Sequence, residues 1–244
     1  MPEEERRGAM NILIVGASGG IGSAFAQTLA ARESVQRVVG TYRSTPPSWE
    51  DAKVEWAPLD VTDESAVARL ARDLGEIDWL INAAGLLHEG AHGPEKRVAQ
   101  VEPEFVMQNF RVNTLPTLLL AKHMAPLMRH GRPAIFATVS ARLGSIGENG
   151  LGGWYSYRAS KAALNMVIKN LSIELRRTHP QLVLASLHPG TTDTALSKPF
   201  QRNVPADALF TPGYSVNCML QVLEGLSPED SGGFWSFDGE ALPW

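Results

Sequence analysis

Asn11–Ala31 reads NILIVGASGGIGSAFAQTLAA, and its order decides the fold. An apolar run long enough for one buried strand, Asn11 to Val15, leads into Gly16-Ala-Ser-Gly-Gly20-Ile-Gly22, and then a segment with helical spacing, Ile21 to Ala31. Glycine lets a chain turn sharply and brings its backbone close to a ligand without a Cβ in the way. The unpaired N–H groups opening the helix favour negative charge. A strand, a glycine turn and a helix in this order are the physical content of a dinucleotide-binding turn. The spacing is GxxxGxG and departs from the commoner GxGxxG. Taken alone, the turn is weak evidence, since an unliganded tight turn can carry the same glycines.

The same alternation continues outward. Apolar runs at Arg37 to Thr41, Val54 to Trp56, Trp79 to Ile81, Pro133 to Val139, Leu182 to Leu187 and Phe234 to Phe237 read as strands buried on both faces. Between them, Ser65 to Leu74, Phe105 to Arg129 and Tyr155 to Arg177 carry helical spacing. This predicts an α/β fold: a doubly wound, Rossmann-type parallel sheet with helices on both faces. Pro116 lacks an N–H for the carbonyl of Val112, so the long helix is expected to kink beside Asn113. Two irregular stretches stand out. Gly144 to Gly153, GSIGENGLGG, has the place of a mobile active-site loop. Ser197 to Pro212, with three prolines, is either a flap over a substrate or a surface connection.

The 244 residues suit one α/β domain, expected over 11–244 behind a flexible segment at 1–10. A net charge of -4 gives no broad basic field, which argues against a nucleic-acid partner. Cys218 is the lone cysteine, so no internal disulfide and no cysteine cluster for zinc can form, and a reducing compartment fits. No apolar run reaches the length of a signal core or a membrane span. A cytoplasmic protein is expected. His88, His92 and His188 lack metal-ligand spacing, and no metal is assigned.

Cofactor choice turns on the end of the second strand, Gly40-Thr-Tyr-Arg43. NAD sites usually place an acid here, and none lies between Val38 and Arg43. Arg43 is either a solvated arginine or a ligand of the 2′-phosphate, and its position favours the second, hence NADP(H) over NAD(H). Asp60-Val61 follows the third strand and Asn82-Ala83-Ala84-Gly85 the fourth, both at the carboxyl ends where open α/β sheets bind ligands. Asp60 equally suits a turn role, and Asn82 a role tying neighbouring strands together.

Tyr157 and Lys161 stand four apart in YRASK, one helical turn apart on one face. An ammonium beside a phenol favours the phenolate and moves the phenol towards the range useful for acid–base work. Tyr155 has Ala159 at that offset and is the poorer candidate.

With the glycine turn, NAAG, Ser140 and YxxxK in this order, the chain resembles the short-chain dehydrogenase/reductase family from about Asn11 to its end. YRASKAALN at Tyr157–Asn165 and DGEALPW at Asp238–Trp244 look like the C-factor and Sniffer-type carbonyl reductases within it. The resemblance implies a catalytic group of Asn113, Ser140, Tyr157 and Lys161, with Ser140 polarising a carbonyl oxygen and Tyr157 donating its proton. It also implies a cofactor site. Gly16, Ser18, Gly20, Ile21 and Gly22 would meet the pyrophosphate, Asp60 and Val61 the adenine, and Asn82 to Gly85 the next stretch. Tyr157 and Lys161 would hold the nicotinamide ribose, and Pro189, Gly190, Thr192 and Thr194 would close over the nicotinamide. One departure is the long GSIGENGLGG loop between Ser140 and Tyr157, which puts the pocket's shape in doubt.

The expected activity is therefore hydride transfer between nicotinamide and a small carbonyl or alcohol, in a homodimer or homotetramer formed through the Phe105 to Arg129 and Tyr155 to Arg177 helices. Two other functions fit the scaffold: a nucleotide-binding signalling or sensor protein, and a sugar-nucleotide epimerase. Intact Ser140, Tyr157 and Lys161 favour the enzyme, and the short C-terminal part speaks against the epimerase.

Overall fold

A computed structural model of the chain describes residues 9–90 and 92–244. Of the segment expected to be flexible, residues 1–8 lie outside the described residues, and Met10 already opens the first strand. The strands are β1 (Met10–Val15), β2 (Val35–Tyr42), β3 (Val54–Pro58), β4 (Trp79–Asn82), β5 (Ala134–Val139), β6 (Leu182–His188), the short β7 (Thr191–Thr192) and β8 (Leu209–Phe210), and β9 (Gly233–Ser236). Seven form one sheet in the order β3-β2-β1-β4-β5-β6-β9, with every neighbour parallel. The helices are α1 (Gly20–Ala30), α2 (Glu64–Asp73), α3 (Pro103–Asn113), α4 (Leu115–Met124), α5 (Tyr155–Leu175) and α6 (Pro212–Gly225).

Period-two alternation sorts the side chains of each strand into two core layers. Ile12, Ile14, Ala137 and Val139 face α1 and α6, meeting Phe25, Leu29, Met219 and Leu220. Leu13, Val15, Leu80 and Phe136 face α2, α4 and α5, meeting Val67, Leu120, Met124 and Ile168. Both faces of the central strands are covered, which is why they read as continuous apolar runs rather than alternating ones. The strand order reverses between β1 and β4, and the crevice beyond their carboxyl ends is where such sheets bind ligands.

Two features depart from the sequence reading. The helix expected over Phe105 to Arg129 is broken. α3 stops at Asn113, Thr114 stays in the right-handed region (φ -111°, ψ -55°) with its N–H on Phe110 O, and α4 restarts with Pro116 in its first turn. A tight 3₁₀ turn, Ala125–Met128, then replaces the last turn. The interruption is one residue long and falls beside Asn113, where the kink was expected, and Asn113 becomes a helix end. Ser197 to Pro212 is tied down by β8, which pairs with β7 and closes a loop over residues 193–208. α6, just after it, was not anticipated. Its start is set by Thr211, whose hydroxyl accepts from the Tyr214 N–H, with Pro212 in the first turn.

Candidate active site

The turn after β1 is built by close backbone packing. Gly16 takes φ +78°, and a Cβ there would stand 2.9 Å from the Ala84 nitrogen. A Cβ on Gly22 would stand 2.3 Å from the Gly16 carbonyl oxygen. Gly16 N–H donates to the Thr41 hydroxyl at 3.1 Å, fixing the turn to β2. α1 begins with no side-chain cap and no acid in its first turn, so its leading N–H groups are left for an anion. Thr194 lies over the same turn, its methyl 2.7 Å from where a Cβ of Gly20 would be. Gly16, Gly20, Gly22, Ala84 and Thr194 are thus brought together as a cradle that added side chains would fill. Ser18 is exposed beside it, and Ile21 partly packs on the core.

Other expected contacts fall differently. Asp60 accepts from the Thr62 N–H and hydroxyl (2.9 and 2.8 Å), and these bonds hold its carboxyl below the usual range, with smaller help from Arg43 and Arg111. This is the turn role, and Val61 is buried in the core beneath it. Arg43 is exposed just past β2. Asn82 does not tie neighbouring strands through its side chain. Its amide donates to Thr117 of α4 (3.2 Å), and its oxygen accepts from Ala84 N–H (3.2 Å), so it fastens the strand end to a helix and to its own loop. Gly190 takes φ +72° against Phe210 and Phe237. Thr192 turns inward, bonding Pro189 O and the Ser215 hydroxyl, both at 3.2 Å.

α5 carries Tyr157 and Lys161, and both are buried. Lys161 Nζ donates to Val139 O at the end of β5 (2.9 Å) and lies 5.8 Å from the centre of the Tyr157 ring. Asn113 closes the group. Its amide exchanges two bonds with Leu86, donating to the carbonyl (2.9 Å) and accepting from the N–H (2.7 Å), and donates to Ser160 Oγ (2.9 Å). A Cβ on Gly85 would stand 3.6 Å from Asn113 Oδ1 and 3.7 Å from Lys161 Nζ. Asn113, Tyr157, Lys161 and the loop after β4 therefore meet. Ser140 does not present its hydroxyl to them. It donates to Asn165 Oδ1 at 2.7 Å, inside the protein.

Burial acts on the phenol in the direction opposite to the effect expected of Lys161. Burial raises Tyr157 above its ordinary value, because a phenolate loses hydration there. The same burial lowers the Lys161 ammonium from 10.5 to about 8. Between these two values the unfolded chain holds a proton that the folded chain has lost, so stability gains as pH rises through that window. Below it the buried charge carries its full cost, about 3 kcal/mol. In urea denaturation, wild type should therefore gain on Lys161→Met between pH 8 and 10.5. An equal pH slope in the two proteins would show that Lys161 is not desolvated.

Sequence reading missed Glu95, a buried residue that sets the start of α5. Its carboxylate accepts from Ser156 N–H (3.2 Å) and from the Ser156 hydroxyl, while its carbonyl accepts from Trp154 N–H. Trp154 is held in the left-handed region (φ 53°, ψ 43°) after Gly152 and Gly153, both also at positive φ. No periodicity could have pointed to a partner 61 residues away. Trp154 in turn stands 6.2 Å from the Tyr157 ring and 5.2 Å from Phe200, which comes from the loop closed by β7 and β8. His88 also lies 5.8 Å from Phe200. The Tyr157 side chain is thus packed among Leu87, Ala141, Trp154 and Phe200, an apolar and aromatic surround.

A Rossmann-type sheet, a glycine cradle and a buried Tyr–Lys pair at the strands' carboxyl ends define an oxidoreductase. The chain belongs to the short chain dehydrogenase family, whose sequence model matches residues 10–205. Among curated relatives, the C-signal of Myxococcus xanthus is 37% identical over 171 residues, covering 70% of this chain and 94% of that protein. Among solved structures, the NADPH-bound carbonyl reductase from chicken fatty liver superposes with a TM-score of 0.83 at 27% identity, over 97% of this chain and 99% of that one. The carbonyl reductase Sniffer of D. melanogaster gives 0.84 at 25%, over 96% and 99%. No helix among the described residues is long and apolar enough to cross a membrane.

Proposed function

We propose that this chain is an NADP(H)-dependent reductase of small apolar carbonyls, with Tyr157 as general acid and base. The observation that carries this reading is the meeting of Tyr157, Lys161, Asn113 and Gly85 beside the glycine cradle. Gly16, Gly20, Gly22 and Thr194 would hold the pyrophosphate, Arg43 the 2′-phosphate, and Lys161 the nicotinamide ribose. The bound nicotinamide supplies the hydride. Tyr157 donates its proton to the carbonyl oxygen in reduction and takes it back in oxidation, and burial keeps the phenol protonated as an acid must be. Leu87, Trp154 and Phe200 offer contacts to an apolar substituent and exclude water.

NADPH consumption against a panel of ketones, aldehydes and quinones tests the activity, and paired titrations test the cofactor. NADPH should bind wild type more tightly than NADH, and Arg43→Ala should lose most of that preference, since a charge-assisted contact to the 2′-phosphate has no counterpart in NADH. Equal affinities in wild type would remove Arg43 from the site. The likeness to C-signal supports a second reading, a signalling protein that binds nucleotide with little turnover. Tight NADPH binding with no reduction across the panel would favour it.

Exposed Met107, Leu115 and Leu118 on α3 and α4, with Met166 and Ile173 on α5, support a homo-oligomer formed over these helices. The lone Cys218 suits a cytoplasmic setting.

A further inference from the structure

Ser140 and Ala141, the two residues that follow β5, turn to different sides. Phe136 faces the layer beneath α5, and period-two alternation carries Thr138 and then Ser140 to that same side. Ser140 is still held in the ladder, its N–H donating to Leu187 O at 2.7 Å. A serine hydroxyl has one proton to donate. Ser140 gives it to Asn165 Oδ1, in a pair with both residues buried. Asn165 stands eight residues beyond Tyr157 on α5, about 12 Å further along the helix axis. Ala141, the next residue, is the one buried in a cluster with Leu87 and Tyr157. Its methyl group donates nothing.

We infer that Ala141, not Ser140, forms the wall of the reactive cleft beside Tyr157, so that Tyr157 alone supplies a side-chain hydroxyl to the substrate's carbonyl oxygen. Ser140 instead fastens the end of β5 to α5 through Asn165. The inference rests on Tyr157 being the proton donor. In the reduction, the carbonyl carbon gains a hydride from NADPH, which leaves as NADP⁺. The oxygen takes the Tyr157 proton to give the alcohol, and the phenolate regains a proton from water. Negative charge growing on the oxygen is then met by one hydroxyl where two would lower the barrier further. More of that charge falls on the substrate's own substituents. The substrates that suit this site are accordingly activated carbonyls, meaning aldehydes and ketones or quinones bearing electron-withdrawing groups, rather than plain dialkyl ketones.

The test is a series of para-substituted benzaldehydes, with kcat/KM followed against substituent electron demand in wild type, Ala141→Ser, Ser140→Ala and Tyr157→Phe. Wild type should show a steep dependence. Ala141→Ser should raise kcat/KM by at least about tenfold for the electron-rich members, since a donor at the oxygen is worth roughly 10²- to 10³-fold where it has been removed from such sites. It should also flatten the dependence. Ser140→Ala should melt at a lower temperature and keep the wild-type slope, because a lost fastening does not change the charge felt at the oxygen. A steeper slope in Ser140→Ala, or a folded Ala141→Ser with unchanged slope, overturns the inference. Should Ala141→Ser fail to fold, the Ser140→Ala slope decides. Wild-type turnover by Tyr157→Phe sinks the reading beneath it as well. Loss of turnover there together with an unresponsive Ala141→Ser sinks the inference alone.

Discussion

Tyr157→Phe is expected to bind NADPH and melt as wild type does, yet to lose roughly 10²- to 10⁴-fold in carbonyl reduction, the usual worth of a positioned general acid. The substitution removes one oxygen and leaves the ring, which packs with Leu87 and Ala141 and meets Trp154 edge-on. Lys161 keeps its bond to Val139 O, because that contact does not pass through the phenol. Stopped assays on the variant at high protein concentration, alongside cofactor titration and thermal melting, separate the effects. A turnover within tenfold of wild type would mean that another group delivers the proton.

Glu95→Ala should damage both stability and rate. The carboxylate satisfies the Ser156 N–H and hydroxyl, and its removal leaves two buried donors unpaired at the first turn of α5. Hydrogen bonds to a charged group are worth about 1.5 to 3 kcal/mol, and stranding their partners adds to the loss. For a chain of this size each kcal/mol moves Tm by about 2 to 4 °C, so a fall of roughly 5 to 10 °C is expected. Turnover should drop as well, since Tyr157 follows Ser156 directly and takes its position from that turn. Glu95→Gln keeps an acceptor and should fall between the two. Unchanged melting and turnover in Glu95→Ala would show that the helix start is set by the backbone alone.

What was legible in the chain was whatever local order controls. Buried parallel strands must be continuously apolar, so their places were readable to within about two residues. The glycine turn was readable because its close approaches, such as Gly22 on the Gly16 carbonyl, exclude every other residue. Tyr157 and Lys161 were readable because a helix fixes their relation. The unreadable parts depend on which way a side chain turns once distant segments meet. Ser140 has a serine's chemistry in the expected neighbourhood, but only the strand's alternation and the presence of Asn165 decide that its hydroxyl points inward. Asp60 has an acid's chemistry at a strand end, and Thr62 takes it up locally. Glu95 and Phe200 come from segments without periodicity, and only folding brings them to α5. The proline at 116 was read as a bend because a helix was assumed to continue through it. With α3 ending at Asn113, that side chain faces the loop after β4.

The pairing of β7 with β8 makes residues 193–208 a closed loop with a single neck. Thr194, which covers the glycine turn, and Phe200, which stands against Trp154, belong to that one loop. Thr194 N–H and Gln201 Nε2 both bond the hydroxyl of Ser197, which stiffens the stretch between them. A rotation about the neck that lifts the aromatic ring also lifts the threonine. The glycine turn and the aromatic surround of Tyr157 thus share one covering segment rather than two separate ones.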